Sequence, residues 1–294
     1  MSEMTTYRWS FEEDVVEYRS MGIEAIGVWR KKLEEYGEER GAELIREQGL
    51  TVSSLSFAGG FTGADGHSFQ ELMEDGLDAV RIAGEIGAEC LIVVPGGRAG
   101  HTTNHASRLL REALLCLGNF AADVGVQIAV QPLHKGLAGH WSFVNTTELM
   151  LEVLERCDHP NVGMALDLFH MGREPNLVAK IPKLAPWVKT VLLSDSSANP
   201  RHDHDRSMPG SGTLPLAPVV QALEASGYSG WYEMQLVSDG LWTTEYSLLL
   251  QQSRDAIRNL WPVRKMAEPM TMTDVGVSAS ATSSVPTMPC PTDS

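Results

Sequence analysis

The sequence predicts an α/β protein. The expected fold is a closed (β/α)8 TIM barrel, a single domain over residues 1–262 with a flexible C-terminal tail over 263–294. Three observations predict it. Short β-branched or apolar runs alternate with amphipathic stretches from end to end, the pattern of βαβ units around a parallel sheet. Eight such pairs within roughly 260 residues match the barrel in number and size. The rival open sheet carries a glycine-rich phosphate turn after its first strand, whereas here the first apolar run leads into RWSFEE, which has no glycine.

Taken in order, strands are expected at 4–7, 23–29, 51–56, 90–94, 127–131, 162–166, 188–193 and 232–236. Helices are expected near 11–20, 36–48, 69–87, 104–123, 146–156, 175–183, 215–226 and 243–259. Ser10 with Glu13, Ser68 with Glu71, and Asn145 with Glu148 each place an N-cap oxygen three residues before a carboxylate, which satisfies the free amides of a helix start. Gly22, Gly49, Gly87, Gly125 and Gly227 stand where a left-handed residue ends a helix. From about Arg264 the chain turns rich in Ser, Thr, Pro and Met without periodicity, as a mobile tail does.

Composition narrows the partners. The apolar share of 43% and charged share of 21% are those of a globular chain. A net charge of −15 opposes nucleic acid or an anionic membrane as partner, because either needs a basic face. No apolar run approaches the ~18 residues of a membrane span. The opening MSEMTTYRWS has neither the basic nor the apolar region of an export signal. Cys90, Cys116, Cys157 and Cys290 form no CxxC pair, so the thiols read as incidental residues of a reducing compartment. A cytoplasmic protein with a small-molecule substrate is expected.

A barrel places its function on the loops that follow the strands, and those loops are polar here. SFAGGFTGADGHSF carries His67; PGGRAGHTTNH carries Arg98, His101, Asn104 and His105; QPLHKG carries Gln131 and His134. LDLFH brings Asp167 and His170, LSDSS brings Asp195, RHDHDRSMPGSG brings His204 and Arg206, and EMQL brings Gln235. Of nine histidines, only His159 lies off these loops.

Each motif has a plainer reading. PGGRAG could cradle a phosphate, or merely turn a strand into a helix. His101 and His105 have zinc-pair spacing, but Thr102 stands where a metalloprotease has its Glu. The HDH of the seventh loop is a metal claw or a solvated loop. His140 and Trp141 form a pocket wall or cover a rim. No GxSxG elbow and no Gly-x-Gly-x-x-Gly helix start are present, so hydrolase and nicotinamide routes lack a motif.

Over roughly residues 5–260 the chain resembles the xylose-isomerase-like barrels, a superfamily of sugar-phosphate isomerases and epimerases, inosose dehydratases and isomerases, hydroxypyruvate isomerase and endonuclease IV. FAGGFTGADGHSF, GGRAGHTTNHA, AVQPLH, MALDLFHMG, LLSDS, DRSMPGSGTLPL and GYSGWYEMQL carry the resemblance, in order. It implies a divalent ion, usually Mn²⁺ or Mg²⁺, held by two Glu, an Asp and a His at strand ends, gripping vicinal oxygens while a neighbouring group moves the proton α to a carbonyl.

This chain departs from that ligand set. Gln131, Leu192 and Gln235 replace a Glu, the His and the other Glu, and only Asp167 is retained. Hard divalent ions need charged oxygen donors, so no cofactor is expected; should an ion bind, Mn²⁺ or Mg²⁺ is favoured over Zn²⁺. His134, His170, Asp195, Arg206, His101, Asn104 and the loop of His67 stand where the resemblance implies substrate contact. Three functions follow. The first is an isomerase or epimerase working by acid–base proton transfer, with His170 or His134 as base, Asp167 and Asp195 orienting or supplying acid, and Arg206 holding an anionic or oxygen-rich end. The second is a metal-independent lyase, dehydratase or cyclase of a specialised biosynthetic pathway. The third is a non-catalytic ligand-binding descendant. The resemblance also suggests a homodimer.

Overall fold

The computed structural model describes residues 1–261. Seven parallel strands pair in chain order: β1 (Ala25–Trp29), β2 (Thr51–Gly59), β3 (Cys90–Val94), β4 (Gln127–Val130), β5 (Val162–Asp167), β6 (Val188–Leu193) and β7 (Trp231–Met234). Helices cover the outside: α1 (Phe11–Ser20), α2 (Arg30–Tyr36), α3 (Glu38–Gln48), α4 (Phe69–Glu85), α5 (Thr103–Asp123), α6 (Lys135–Ala138), α7 (Thr147–Cys157), α8 (Leu168–Met171), α9 (Leu177–Leu184), α10 (Leu216–Ala225) and α11 (Tyr246–Leu260). The main core lies between the two layers, where Val28, Leu55, Leu91, Val93, Ile128 and Leu166 meet Leu110, Leu114, Met150, Ile181 and Val220.

The strand expected at 4–7 does not form. Its place in the ring is taken by Met1–Glu3: Gly27 N donates to Met1 O (2.8 Å), Glu3 N to Gly27 O (2.9 Å), and Ser2 N to Met234 O on the far side (2.8 Å). A single bridge residue, Ser2, thus joins β1 to β7. The threonines that suggested a strand bond elsewhere. The Thr5 hydroxyl accepts from Leu236 N (3.0 Å), and Thr6 Oγ1 donates to Asp14 Oδ1 (2.5 Å). Such side-chain bonds compete with a ladder and turn the chain away from it.

Below that turn lies a buried polar cluster. Lys32 Nζ donates to Asp14 Oδ2 (2.5 Å) and to the carbonyls of Glu3 and Thr6. Burial pushes the Asp14 carboxyl up to about 6 in spite of Lys32. Burial, then Asp14, pushes the Glu3 carboxyl well up from its ordinary value. Its Oε2 accepts from Trp29 N (2.6 Å) and ties Met1–Glu3 to β1.

The helix expected at 36–48 is α3 (Glu38–Gln48); a separate helix, α2, precedes it and ends at Gly37 (φ 107°), and α6 and α8 are extra turns after β4 and β5. Capping boxes form at Ser10 and Ser68. The third start is Thr146, whose hydroxyl accepts from Leu149 N (3.2 Å), while the Asn145 amide donates to Phe143 O (3.2 Å). The five helix-ending glycines all have φ between 66° and 84°. Among the described residues no helix is long and apolar enough to cross a membrane. The tail over 263–294, with Cys290, lies outside the described residues.

Period-two alternation sends every second strand residue into the barrel. Cys90, Ile92, Ala129, Ala165 and Leu192 form a small apolar cluster there, apart from the main core. Beside it lies the buried Glu233, whose Oε2 accepts from Ser53 Oγ (2.8 Å) and Ser54 Oγ (2.7 Å). Gly27 makes room for it, since a Cβ there would stand 2.1 Å from Glu233 Oε1.

Candidate functional site

Asp167 ends β5 and is fully buried. It caps α8, its Oδ1 accepting from Phe169 N (2.9 Å). Arg206 closes on the same carboxylate with two parallel contacts, Nη1 to Oδ1 (3.1 Å) and Nη2 to Oδ2 (2.8 Å). Gln131, just past β4, donates Nε2 to Oδ2 (2.8 Å). Burial alone would raise the Asp167 carboxyl; the charge and hydrogen bonds of Arg206, with the Phe169 amide, outweigh it and hold the group below the usual carboxylate range. Phe169 lies under the guanidinium, 4.7 Å from its central carbon.

Asp195 explains how an arginine from a long loop reaches this point. Its Oδ1 accepts from Ser196 N (2.8 Å) and Leu214 N (3.0 Å), and its Oδ2 from Gly210 N and Gly212 N (both 3.0 Å). The three loop amides, of Gly210, Gly212 and Leu214, fold 206–214 back against the ladder of Asp195–Ser196 with Arg206–Ser207. Gly212 permits the approach, because a Cβ there would lie 2.3 Å from Asp195 Oδ1. With its acceptor sites so occupied, Asp195 positions Arg206 and supplies no acid to the cavity.

His170 sits on α8 between two N–H donors. His134 N donates to its Nδ1 (3.3 Å), while Nε2 stands 3.4 Å from Arg206 Nη2 and 3.8 Å from Asp167 Oδ2. An imidazolium would face both donors with protons of its own. Burial, the largest cause, lowers the His170 pKa to about 4, so the ring is neutral near pH 7. The backbone donor at Nδ1 is fixed and Arg206 has Asp167 as acceptor, which places the ring's one proton on Nε2. The sequence reading made His170 a base; its environment makes it a poor one.

Around this network lies a cavity of about 200 Å³ at the strand ends, lined by Gln131, His170, Arg206, Gln235, Asp203 and His204 together with Met4, Ser56 and Phe57. His204 is half-exposed, its Nδ1 3.5 Å from Asp239 Oδ1, its Nε2 3.9 Å from Asp203 Oδ1 and its ring edge-on to Trp242 at 5.3 Å. Gln235 Nε2 donates to Met4 Sδ (3.3 Å).

Other sequence candidates lie apart. The His134 ring accepts from Gly136 N (3.2 Å) and is exposed, capping α6. His67 borders a second, outer cleft and pairs with Asp65 (3.3 Å). His101 stacks on His105 (4.6 Å), His105 meets Arg108 (3.3 Å), and Asn104 lines a groove between α5 and α7 outside the ring. Arg98 is exposed and lines neither cavity. Ser56, Phe57 and Met4 were missed as site residues. Ser53, Ser54 and Ser56 within β2 were the available signal.

The side chains do not fit a hard divalent ion. The acceptor positions of Asp167 are filled by Phe169 N, Gln131 and both arms of Arg206, Leu192 is apolar, and Gln131 turns its NH₂ inward. Among the described residues no group of three or more His, Cys, Asp or Glu could hold a metal. The guanidinium supplies the positive charge at this place.

A family model described as xylose isomerase-like TIM barrel matches residues 15–260. The chain is 23% identical over 230 residues to a 3-dehydroshikimate dehydratase of Pseudomonas putida, covering 74% of this chain but only 34% of the relative. It thus spans about a third of that protein. It is 26% identical over 243 residues to a probable ketose 3-epimerase of Synechocystis, covering 78% of this chain and 75% of the relative. A crystal structure of a Sinorhizobium meliloti protein superimposes with a TM-score of 0.81 at 28% identity, covering 88% of this chain and 98% of that one. The IolI protein, crystallised with a zinc atom, shares the fold with a TM-score of 0.79 at 20% identity, covering 88% and 96%.

Proposed function

The chain belongs to the xylose isomerase-like TIM barrel family, and on that premise we propose that it is an isomerase or epimerase-type enzyme. It moves the proton α to a carbonyl of a small polyhydroxylated substrate, without a resident divalent metal. One observation carries the reading: a buried guanidinium, pinned to Asp167 by contacts of 3.1 and 2.8 Å, stands beside a neutral imidazole at the cavity.

The chemistry follows from those groups. The substrate carbonyl oxygen accepts from His170 Nε2–H, and the charge of Arg206 stabilises the enolate oxygen as it forms, in a site of low dielectric. A neutral imidazole suits this donor role. His204, which lines the cavity with two carboxylates within 4 Å, takes the α proton. The C–H electron pair becomes the enolate C=C bond. For the isomer, His204 returns the proton to the adjacent carbon on the same face while the hydroxyl hydrogen there passes to the enolate oxygen. For the epimer, a solvent water protonates the opposite face and the hydroxide so formed takes the proton from His204. A positioned general base contributes roughly 10²–10⁴ in rate. Loss of a β-hydroxyl from the same enolate would instead give a dehydratase, the activity named for the Pseudomonas relative.

The test is α-proton exchange in D₂O, followed by NMR on ketoses and cyclic hydroxy-ketones with EDTA-treated protein. Exchange is expected to survive EDTA and to fall at least 100-fold in His204→Gln. Product signals separate isomer from alkene. Exchange abolished by EDTA and restored by Mn²⁺, or left intact in both His204→Gln and His170→Phe, would overturn the proposal.

A further inference from the structure

The inner cavity shares part of its wall with another space. Phe57 and Trp141 line both it and an outer cleft of about 530 Å³ that runs between the loops after β2 and β3. At about 200 Å³ the inner cavity is smaller than the ~300 Å³ at which small-molecule sites usually begin, whereas the two together fall within the usual range. A ligand that reaches the guanidinium and uses both spaces must therefore extend past the wall that Phe57, Val94 and Trp141 share.

The junction is built for an apolar face. Phe57 is 38% and Trp141 49% exposed, large aromatic surface left in water at one opening. The cleft beyond has mostly apolar walls, and the charges on them are of one sign: Asp65, Glu71 and Asp75 border it, and among the described residues no Lys or Arg lines it. Asp65 is taken up by His67, whose N donates to Oδ1 (3.3 Å) and whose Nδ1 stands 3.3 Å from Oδ2. Asp75 pairs with Arg30 through Oδ1 (2.7 Å) and Glu71 accepts from Ser68 N through Oε2 (2.8 Å), so each keeps a second oxygen for a ligand. Carboxylates receive hydroxyl hydrogens strongly and repel phosphates and carboxylates. Arg98, the one cation of the PGGRAG loop, does not reach the cleft.

We propose that the outer cleft is a second sugar subsite, so that the substrate is an uncharged, glycoside-like molecule of two rings. The reacting ring lies in the inner cavity, and the second ring stacks at Trp141 and Phe57 with its hydroxyls toward Glu71 and Asp75. Which ring reacts rests on the function proposed above; the place of the second ring does not.

Binding to the full chain, read by calorimetry and tryptophan fluorescence, tests this with glucose, methyl glucoside, cellobiose, maltose, lactose and glucose 6-phosphate as probes. At least one disaccharide is expected to bind ten-fold or more tightly than the monosaccharides, and glucose 6-phosphate no better than glucose. Trp141→Ala should remove that ten-fold gain. Ala64→Trp, which fills the outer cleft, should remove it too, with thermal unfolding confirming that both variants fold. A gain absent for every disaccharide, a gain that survives both variants, or tightest binding of the phosphate would overturn the inference. If the gain is missing while α-proton exchange persists on a single-ring ketone, this inference alone fails; if exchange is missing while the gain holds, the proposed mechanism alone fails.

Discussion

Arg206 holds Asp167 through two parallel hydrogen bonds, Nη1–Oδ1 at 3.1 Å and Nη2–Oδ2 at 2.8 Å, with both side chains buried. The pair joins the loop after β6 to the end of β5, so a contact that shapes the pocket also holds its wall.

Asp167→Ala strands a buried guanidinium and is expected to cost about 3–5 kcal/mol in urea unfolding. The double change Asp167→Leu with Arg206→Met should recover most of that loss, because an apolar pair removes both charges from the interior. It should also show no α-proton exchange. A double variant as unstable as the single one would mean that the pair stabilises the fold beyond its mutual neutralisation.

His170 gives a pH dependence with a definite sign. Its pKa is about 4 when folded against 6.5 for the free side chain, so the unfolded chain binds the extra proton between those values. Stability from this residue is full above pH 6.5, falls as pH drops toward 4, and levels off below; the total is on the order of 3 kcal/mol. Asp14, raised to about 6, acts in the opposite direction over much of that range. The readable quantity is therefore the difference between wild type and His170→Gln, measured by denaturant unfolding at pH 4.5 and 7, in which Asp14 cancels.

Gln131→Glu replaces a donor 2.8 Å from Asp167 Oδ2 with a second carboxylate. Loss of the hydrogen bond and the added repulsion should cost about 1–3 kcal/mol. Combining it with Gln235→Glu is expected to give no tight Mn²⁺ binding by calorimetry while Arg206 is present. Binding should emerge only when Arg206→Ala is added, which vacates Asp167.

Gly27→Ala sets a methyl 2.1 Å from Glu233 Oε1 inside the ring. A loss of roughly 1–3 kcal/mol is expected from overpacking. Glu233→Ala in the same chain should return part of it, as a thermal melt would show.

The barrel was legible because it is written in repetition: the alternation from 23 to 260, the Ser10 and Ser68 caps and the five left-handed glycines recur as local signals. The first strand misled because Thr5 and Thr6 have strand propensity but bond Leu236 and Asp14. At the pocket, Gln131, Leu192 and Gln235 advertised an altered ligand set through residue type alone. What replaces it depends on Asp195 folding a loop through three of its amides, a non-local event that no spacing encodes. The same holds for His134: its position in QPLHKG fits a pocket base, yet its ring turns to Gly136 N.

The closure at Ser2 bears on how the molecule breathes. Elsewhere around the ring adjacent strands share several rungs, but β1 and β7 meet through one residue. Least protection from hydrogen–deuterium exchange among the ring amides is thus expected at Ser2, Gly27 and Leu236. Met4 and Gln235, which flank that seam, also form part of the inner cavity wall. Occupancy of the pocket should therefore slow exchange along the seam, so that the weakest join of the ring reports directly on whether its cup is full.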